Sequence, residues 1–149
     1  MSIITAEDIM TRQVVTLTPD TPIHTAMEVL LKHRISGAPV VSDGLLVGVI
    51  SEYDCMKVIS AGLTELYSAP TGNVSEYMSS APITCTPTAT IGDVAGRFLT
   101  QRVRRLPVVD ERNRLVGLVS RRDVLKGLIE HQDSRTPAPV SYPDYRRPS

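Results

Sequence analysis

Gly117-Leu118-Val119-Ser120-Arg121-Arg122-Asp123 restates Gly48-Val49-Ile50-Ser51-Glu52-Tyr53-Asp54 from the first half of the chain. In each copy a short apolar run containing glycine reads as a buried strand. A serine followed three residues later by aspartate then opens a helical pattern. Ser-x-x-Asp in that place is a capping box, which satisfies free backbone N–H groups at a helix start and needs no ligand. A strand feeding a helix through a small turn is also where α/β proteins bind ligands, because the helix start presents free N–H groups and the positive end of the dipole. Both readings stay open at this corner, and they can coexist.

Outward from the first copy, Thr5 with Asp8 three residues on resembles a capping box before a helical turn ending near Met10. Val14 to Leu17 reads as a short strand, and Thr18-Pro19-Asp20-Thr21-Pro22 as a turn in which Thr21 caps and Pro22 takes the first helical position. Ile23, Ala26, Met27, Leu30 and Leu31 then share one face of an amphipathic helix of about three turns. Ser36-Gly37 breaks it. Ala38 to Ser42 is a strand, Asp43-Gly44 a two-residue hairpin signal, and Leu45 to Ile50 the returning strand. Ser51 caps a second helix that ends near Gly62.

A connector bearing Pro70 and Gly72 follows, and the pattern restarts. Pro19 and Pro87, and Pro39 and Pro107, lie 68 positions apart; beyond the hairpin, Gly48 and Gly117, and Asp54 and Asp123, lie 69 apart. One residue has been added in the second hairpin, where Asp110-Glu111-Arg112-Asn113-Arg114 replaces Ser42-Asp43-Gly44-Leu45. An insertion confined to a turn leaves strand register intact. The chain therefore divides into repeat one (5–66), a connector (67–73), repeat two (74–131) and a proline-rich tail (132–149) expected to be extended or flexible.

The 149 residues, 42% apolar, suffice for one compact domain, and 16 basic residues balance 16 acidic ones. That balance argues against a bulk nucleic-acid binder, while Arg102, Arg104, Arg105 and Arg121, Arg122 still suit a small anion. Cys55 and Cys85 lack CxxC spacing and read as buried, reduced packing residues, which suits a cytoplasmic setting. No apolar run reaches membrane-spanning length, so no membrane partner is expected. His24, His33 and His131 stand isolated, and no Ser, Cys or Lys has a visible base partner; neither a metal nor a catalytic residue is assigned.

The tandem β-α-β-β-α unit, with Ile-Ser-Gly-Ala-Pro-Val-Val and Gly-Val-Ile-Ser-Glu-Tyr-Asp answered by Arg105-Leu-Pro-Val-Val and Gly-Leu-Val-Ser-Arg-Arg-Asp, resembles the CBS-domain pair, or Bateman module, over about residues 5 to 130. The resemblance implies an α+β (or α/β) fold of two repeats packed sheet to sheet about a pseudo-two-fold axis, leaving two clefts. It also implies an adenosine ligand, either a nucleotide such as AMP, ADP or ATP or S-adenosylmethionine, with no covalent cofactor.

An adenosine phosphate asks for an apolar slot, a carboxylate for the ribose hydroxyls and cations for phosphate. By the resemblance, Asp123 is the ribose ligand of one cleft, with Ser120 near the sugar or phosphate, Leu118 against the base, and Arg122 beside Asp123 as a cation within reach of phosphate. The base pocket of that cleft comes from Met10, Val15, Ile35, Ser36, Gly37 and Ala38, and Arg104 and Arg105 meet phosphate. The twin cleft uses Asp54, Ser51, Val49 and Tyr53 with Met78, Ile83, Val103 and Leu106. The Asp123 cleft is the favoured nucleotide site, because Ser36-Gly37-Ala38 is small and Arg122, Arg104 and Arg105 are cationic. The expected role is a stand-alone regulatory and signal-transduction module, a homodimer that modulates an unidentified partner protein; the alternative is a ligand-free dimerisation or docking module.

Overall fold

The computed structural model describes residues 3–62 and 70–131. The proline-rich tail and residues 63–69 of the expected repeat-one end and connector lie outside the described residues. The elements run α1 (Ala6–Ile9), α2 (Ile23–His33), β1 (Gly37–Ser42), β2 (Leu45–Ser51), α3 (Glu52–Ser60), α4 (Val74–Tyr77), α5 (Ile91–Gln101), β3 (Arg105–Val109), β4 (Leu115–Ser120) and α6 (Arg121–Glu130). The second half repeats the first element for element.

Each repeat is built on an antiparallel hairpin. Asp43 and Gly44 both take positive φ, 51° and 80°, which is the mirror-image turn whose twist matches the flanking strands. The longer second turn closes with Asn113 at φ 62° and with Asp110 accepting from the backbone N–H of Arg112 and of Arg114, both at 2.9 Å. Register survives the added residue: Pro39 pairs with Val49, and Pro107 with Leu118. The two hairpin tips also clasp each other. Leu46 N–H donates to Asn113 O at 3.0 Å, Leu115 N–H to Gly44 O at 3.1 Å, and Asn113 Nδ2 to Leu46 O at 2.8 Å.

Val14–Leu17, expected as a strand, pairs only at Leu17, which forms a parallel bridge to Val40 through Leu17 N–H to Pro39 O and Val41 N–H to Leu17 O. Pro39 has no N–H, so the ladder cannot continue along it. Pro22 sits at the cap of α2, one position before its first helical residue, and Thr21 Oγ instead meets Thr18 Oγ at 2.8 Å. Both long helices of the first halves, α2 and α5, end on a left-handed arginine, Arg34 and Arg102.

The packing units cross the sequence repeats. One apolar cluster joins Leu17, Ile23, Leu30, Val40, Ile50 and Val58 of the first repeat with Val74 of the second. The other joins Phe98, Leu106, Val108 and Val119 with Ala6 and Ile9 of the first. Each short opening helix therefore docks on the opposite repeat. Thr11 bridges Leu118 and Ser79 bridges Val49, so the arm after each short helix lies antiparallel to the outer strand of the other hairpin. Glycine makes this approach: a side chain at Gly117 would run into Met10, and one at Gly48 into Met78. Cys55 and Cys85 are buried, as their apolar settings predict, and burial pushes both thiols up. Among the described residues no helix is long and apolar enough to cross a membrane.

Candidate functional site

Both Ser-x-x-Asp corners form. Ser51 ends β2 in extended conformation and its Oγ accepts from Asp54 N–H at 3.2 Å, while Asp54 Oδ2 accepts from Ser51 N–H and Ser51 Oγ–H, each at 2.9 Å. Ser120 does the same for α6: its Oγ accepts from Asp123 N–H at 3.1 Å, and Asp123 Oδ2 accepts from Ser120 N–H at 2.8 Å. The capping reading of the motif is thus realised at both corners, satisfying helix-start donors.

The arm exchange leaves a cleft of about 720 Å³ between the repeats. Ser36, Gly37 and Ala38, Leu118, Arg104 and Arg105 line it, as do Val49, Ser51, Tyr53, Ile83 and Val103. The cavity therefore gathers parts of both expected residue sets. Pro39 of β1 and Pro107 of β3 also line it; their carbonyls accept from Leu17 N–H and Cys85 N–H, each at 3.0 Å. Arg105 Nη1 donates to Ser36 Oγ at 2.6 Å, a charged hydrogen bond from one repeat to the other. Gly37 stands at the position equivalent to Arg105, 68 residues earlier, and carries no side chain to mirror that reach.

The remaining expected residues lie elsewhere. Leu106 is fully buried in the second core, and Met78 packs against the first. Asp54 is 4% exposed and does not line the cavity. Met10 and Asp123 line a separate recess of about 240 Å³ with Asp8, Thr11, Lys126 and His131. Val15 and Ile35 are half-buried, and neither they, Ser120 nor the exposed Arg122 line either cavity.

Several lining residues escaped the sequence reading: Glu52 and Met56 of α3, and Ser79, Ala81 and Pro82; Arg102, expected only as part of a basic cluster suited to a small anion, also lines the cavity. The repeat offset was the available signal, because Ser79 stands 68 positions after Thr11, in the arm that crosses to the other sheet. Lys57 of α3 adds charge beside the cleft. Its Nζ lies 3.4 Å from Asp54 Oδ1 and 5.3 Å from the centre of the Tyr53 ring.

Comparison with known proteins places this geometry. The chain is 34% identical over 115 residues to 5′-AMP-activated protein kinase subunit gamma-3 of Sus scrofa, a match covering 72% of this chain and 22% of that protein; the chain thus spans about a fifth of that relative's length. The structure of CBSX2 in complex with AMP superposes with a TM-score of 0.76 at 30% identity, covering 87% of this chain and 99% of the other. That of the CBS domain pair of MJ0100 in complex with 5′-methylthioadenosine and S-adenosyl-L-methionine gives 0.71 at 26% identity, covering 89% and 100%. The CBS domain model matches residues 6–61 and again 74–130. Those two matches take in every described helix and strand, and the chain belongs to the CBS-domain family as a tandem CBS pair.

Proposed function

We propose that this CBS pair is a regulatory module that binds an adenosine nucleotide, AMP-, ADP- or ATP-like, in the cleft between its repeats. The observation that carries the reading is the pairing, in one cavity of about 720 Å³, of apolar walls from Val49, Ile83, Val103 and Leu118 with the cations Arg104 and Arg105. That volume lies in the range of small-molecule sites. The apolar walls suit a base, and guanidinium groups suit phosphate bidentately. CBSX2, which resembles this chain over 87% of its length, has been solved with AMP. S-adenosylmethionine, found with MJ0100, carries a sulfonium, an ammonium and a single carboxylate in place of phosphate. Three arginines against the single Glu52 on the wall favour the phosphate ligand.

The regulatory step follows from linkage: ligand shifts a partner's affinity only if it binds one arrangement of the module better than another. Exposed apolar side chains on the two equivalent helices, Met56 and Ile59 of α3 and Leu125, Leu128 and Ile129 of α6, support a homodimer as the unit that changes shape. Isothermal titration of the full chain with AMP, ADP, ATP and S-adenosylmethionine tests the ligand. Binding of a nucleotide is expected, and Arg104→Ala with Arg105→Ala should weaken it at least about tenfold, the scale of one charge-assisted hydrogen bond lost. No heat and no thermal shift with any of the four would refute the proposal and leave the ligand-free docking module in its place.

A further inference from the structure

The two Ser-x-x-Asp corners share a third residue, a lysine three positions after the aspartate: Lys57 after Asp54, and Lys126 after Asp123. The fold uses the two lysines differently. Lys126 has an acid one turn on, Glu130, and its Nζ lies 3.9 Å from Glu130 Oε1. The equivalent position after Lys57 is Ala61, so nothing on α3 draws that lysine along the helix, and it turns back to Asp54 Oδ1 at 3.4 Å.

The carboxylates differ in consequence. Asp54 Oδ2 already accepts two hydrogen bonds from Ser51, Oδ1 faces Lys57, and the side chain is 6% exposed. Asp123 Oδ2 accepts from Ser120 N–H, and among the described residues no hydrogen bond or ion pair ends on Asp123 Oδ1. Asp123 lines its recess, whereas Asp54 is absent from the wall of the large cavity even though its neighbours Ser51, Glu52 and Tyr53 form part of it.

A carboxylate reads a ribose by accepting from two vicinal hydroxyls, which requires free acceptor capacity. Resting on the nucleotide reading of the cleft, we infer that Lys57 withdraws Asp54 from ligand recognition, so that the large cavity selects its ligand by phosphate and base and ignores the ribose diol. A diol reaching Asp54 would have to displace the lysine from a buried carboxylate, an exchange of a charged partner for neutral ones. Arg102, Arg104 and Arg105 supply the anion contacts instead. Tyr53, 73% exposed at the mouth with Lys57 over its ring, offers a face to the base.

The test follows the Ile83 methyl group, which is on the cavity wall, by NMR of methyl-labelled full-length protein during titration with adenosine, AMP, 2′-deoxy-AMP and 3′-deoxy-AMP. The three phosphates are expected to bind within about twofold of one another, because no contact to the diol is lost. Adenosine should bind at least about tenfold more weakly. Lys57→Met, at a 60% exposed position, frees Asp54 Oδ1 and should raise the preference for AMP over 2′-deoxy-AMP severalfold at the same methyl. A preference of about tenfold or more for AMP already present in the wild type would overturn the inference while leaving the nucleotide site intact, as would selectivity unmoved by Lys57→Met. Silence of Ile83 toward every nucleotide would remove the site itself, and the inference with it.

Discussion

The exchange of opening helices between the repeats rests on contacts that one methyl group can interrogate. Gly127 is buried in the middle of α6, and a Cβ built on it would collide with Ile9 of α1, its Cγ2 and Cβ being the nearest atoms. Gly96, in the middle of α5, has nothing within 4 Å of such a Cβ. Glycine to alanine in a helix interior gains about 1 kcal/mol from backbone entropy and propensity, so Gly96→Ala should stabilise by about 0.5–1 kcal/mol. At Gly127 the same gain is opposed by overpacking of about 1–3 kcal/mol. The net expectation is a loss of up to about 2 kcal/mol, or a melting temperature lower by several degrees. Urea unfolding of both variants measures the difference. Ile9→Ala combined with Gly127→Ala removes Cγ2, the nearest of the clashing atoms, and leaves only Cβ to be accommodated, so the pair should couple by about 0.5–3 kcal/mol in the favourable direction. Because Ile9 opens the first sequence repeat and Gly127 closes the second, equal stabilisation by Gly96→Ala and Gly127→Ala would refute the exchange. It would also undo the recess beside Asp123, whose wall includes the Asp8 to Thr11 arm.

Two further outcomes follow from ionisation. Hydrogen bonds from the Arg114 and Arg112 backbone and the Arg114 side chain hold the Asp110 carboxyl below its usual range. A depressed carboxylate stabilises the fold above its unfolded value of about 3.9, and that contribution disappears as pH falls through the folded value. The difference in urea midpoint between wild type and Asp110→Asn should therefore shrink as pH is lowered below about 4, and a constant difference across that window would contradict the loop geometry. Burial raises the thiols of Cys55 and Cys85, so both are protonated at neutral pH and shielded. Ellman's reagent should label neither in the native protein and both in denaturant; rapid native labelling would show that α3, which holds Cys55, or the segment bridging Cys85 to Val108 opens readily.

Much of the fold was legible because its determinants are local or exactly repeated. Ser51 with Asp54, Ser120 with Asp123, and Thr5 with Asp8 are capping boxes that depend only on a three-residue spacing, and all three form. The Asp43-Gly44 turn needs positive φ twice in succession, which that dipeptide advertises. The arm exchange was not legible. Ala6, Ile9 and Val74 are apolar enough to bury against either sheet, and a sequence repeat says where a unit recurs, not which copy its first helix covers. The strand at Val14–Leu17 was overextended because its β-branched composition carries no record of Pro39 on the neighbouring strand.

The site was legible in its residue types and less so in its grouping, for a reason that lies in the duplication. Two identical repeats related by a two-fold axis would make two identical clefts. Among the departures from identity, three bear on the clefts: Arg105 against Gly37, Tyr53 against Arg122, and Glu130 against Ala61. The first gives one repeat an arm that reaches Ser36 of the other; the second leaves an aromatic ring at the mouth of the large cavity; the third releases Lys126 from Asp123 while Lys57 stays on Asp54. Smallness at Ser36-Gly37-Ala38, taken from sequence as room beside Asp123, contributes instead to the wall that also holds Tyr53 and Ser51. Gly37 pairs with Ser51 across the hairpin, so space vacated at Gly37 opens toward the corner of its own repeat. Cross-strand pairing, fixed by the hairpin turn, thus determines which cleft a small residue enlarges, and the Ser51–Asp54 corner gains volume while its carboxylate stays occupied.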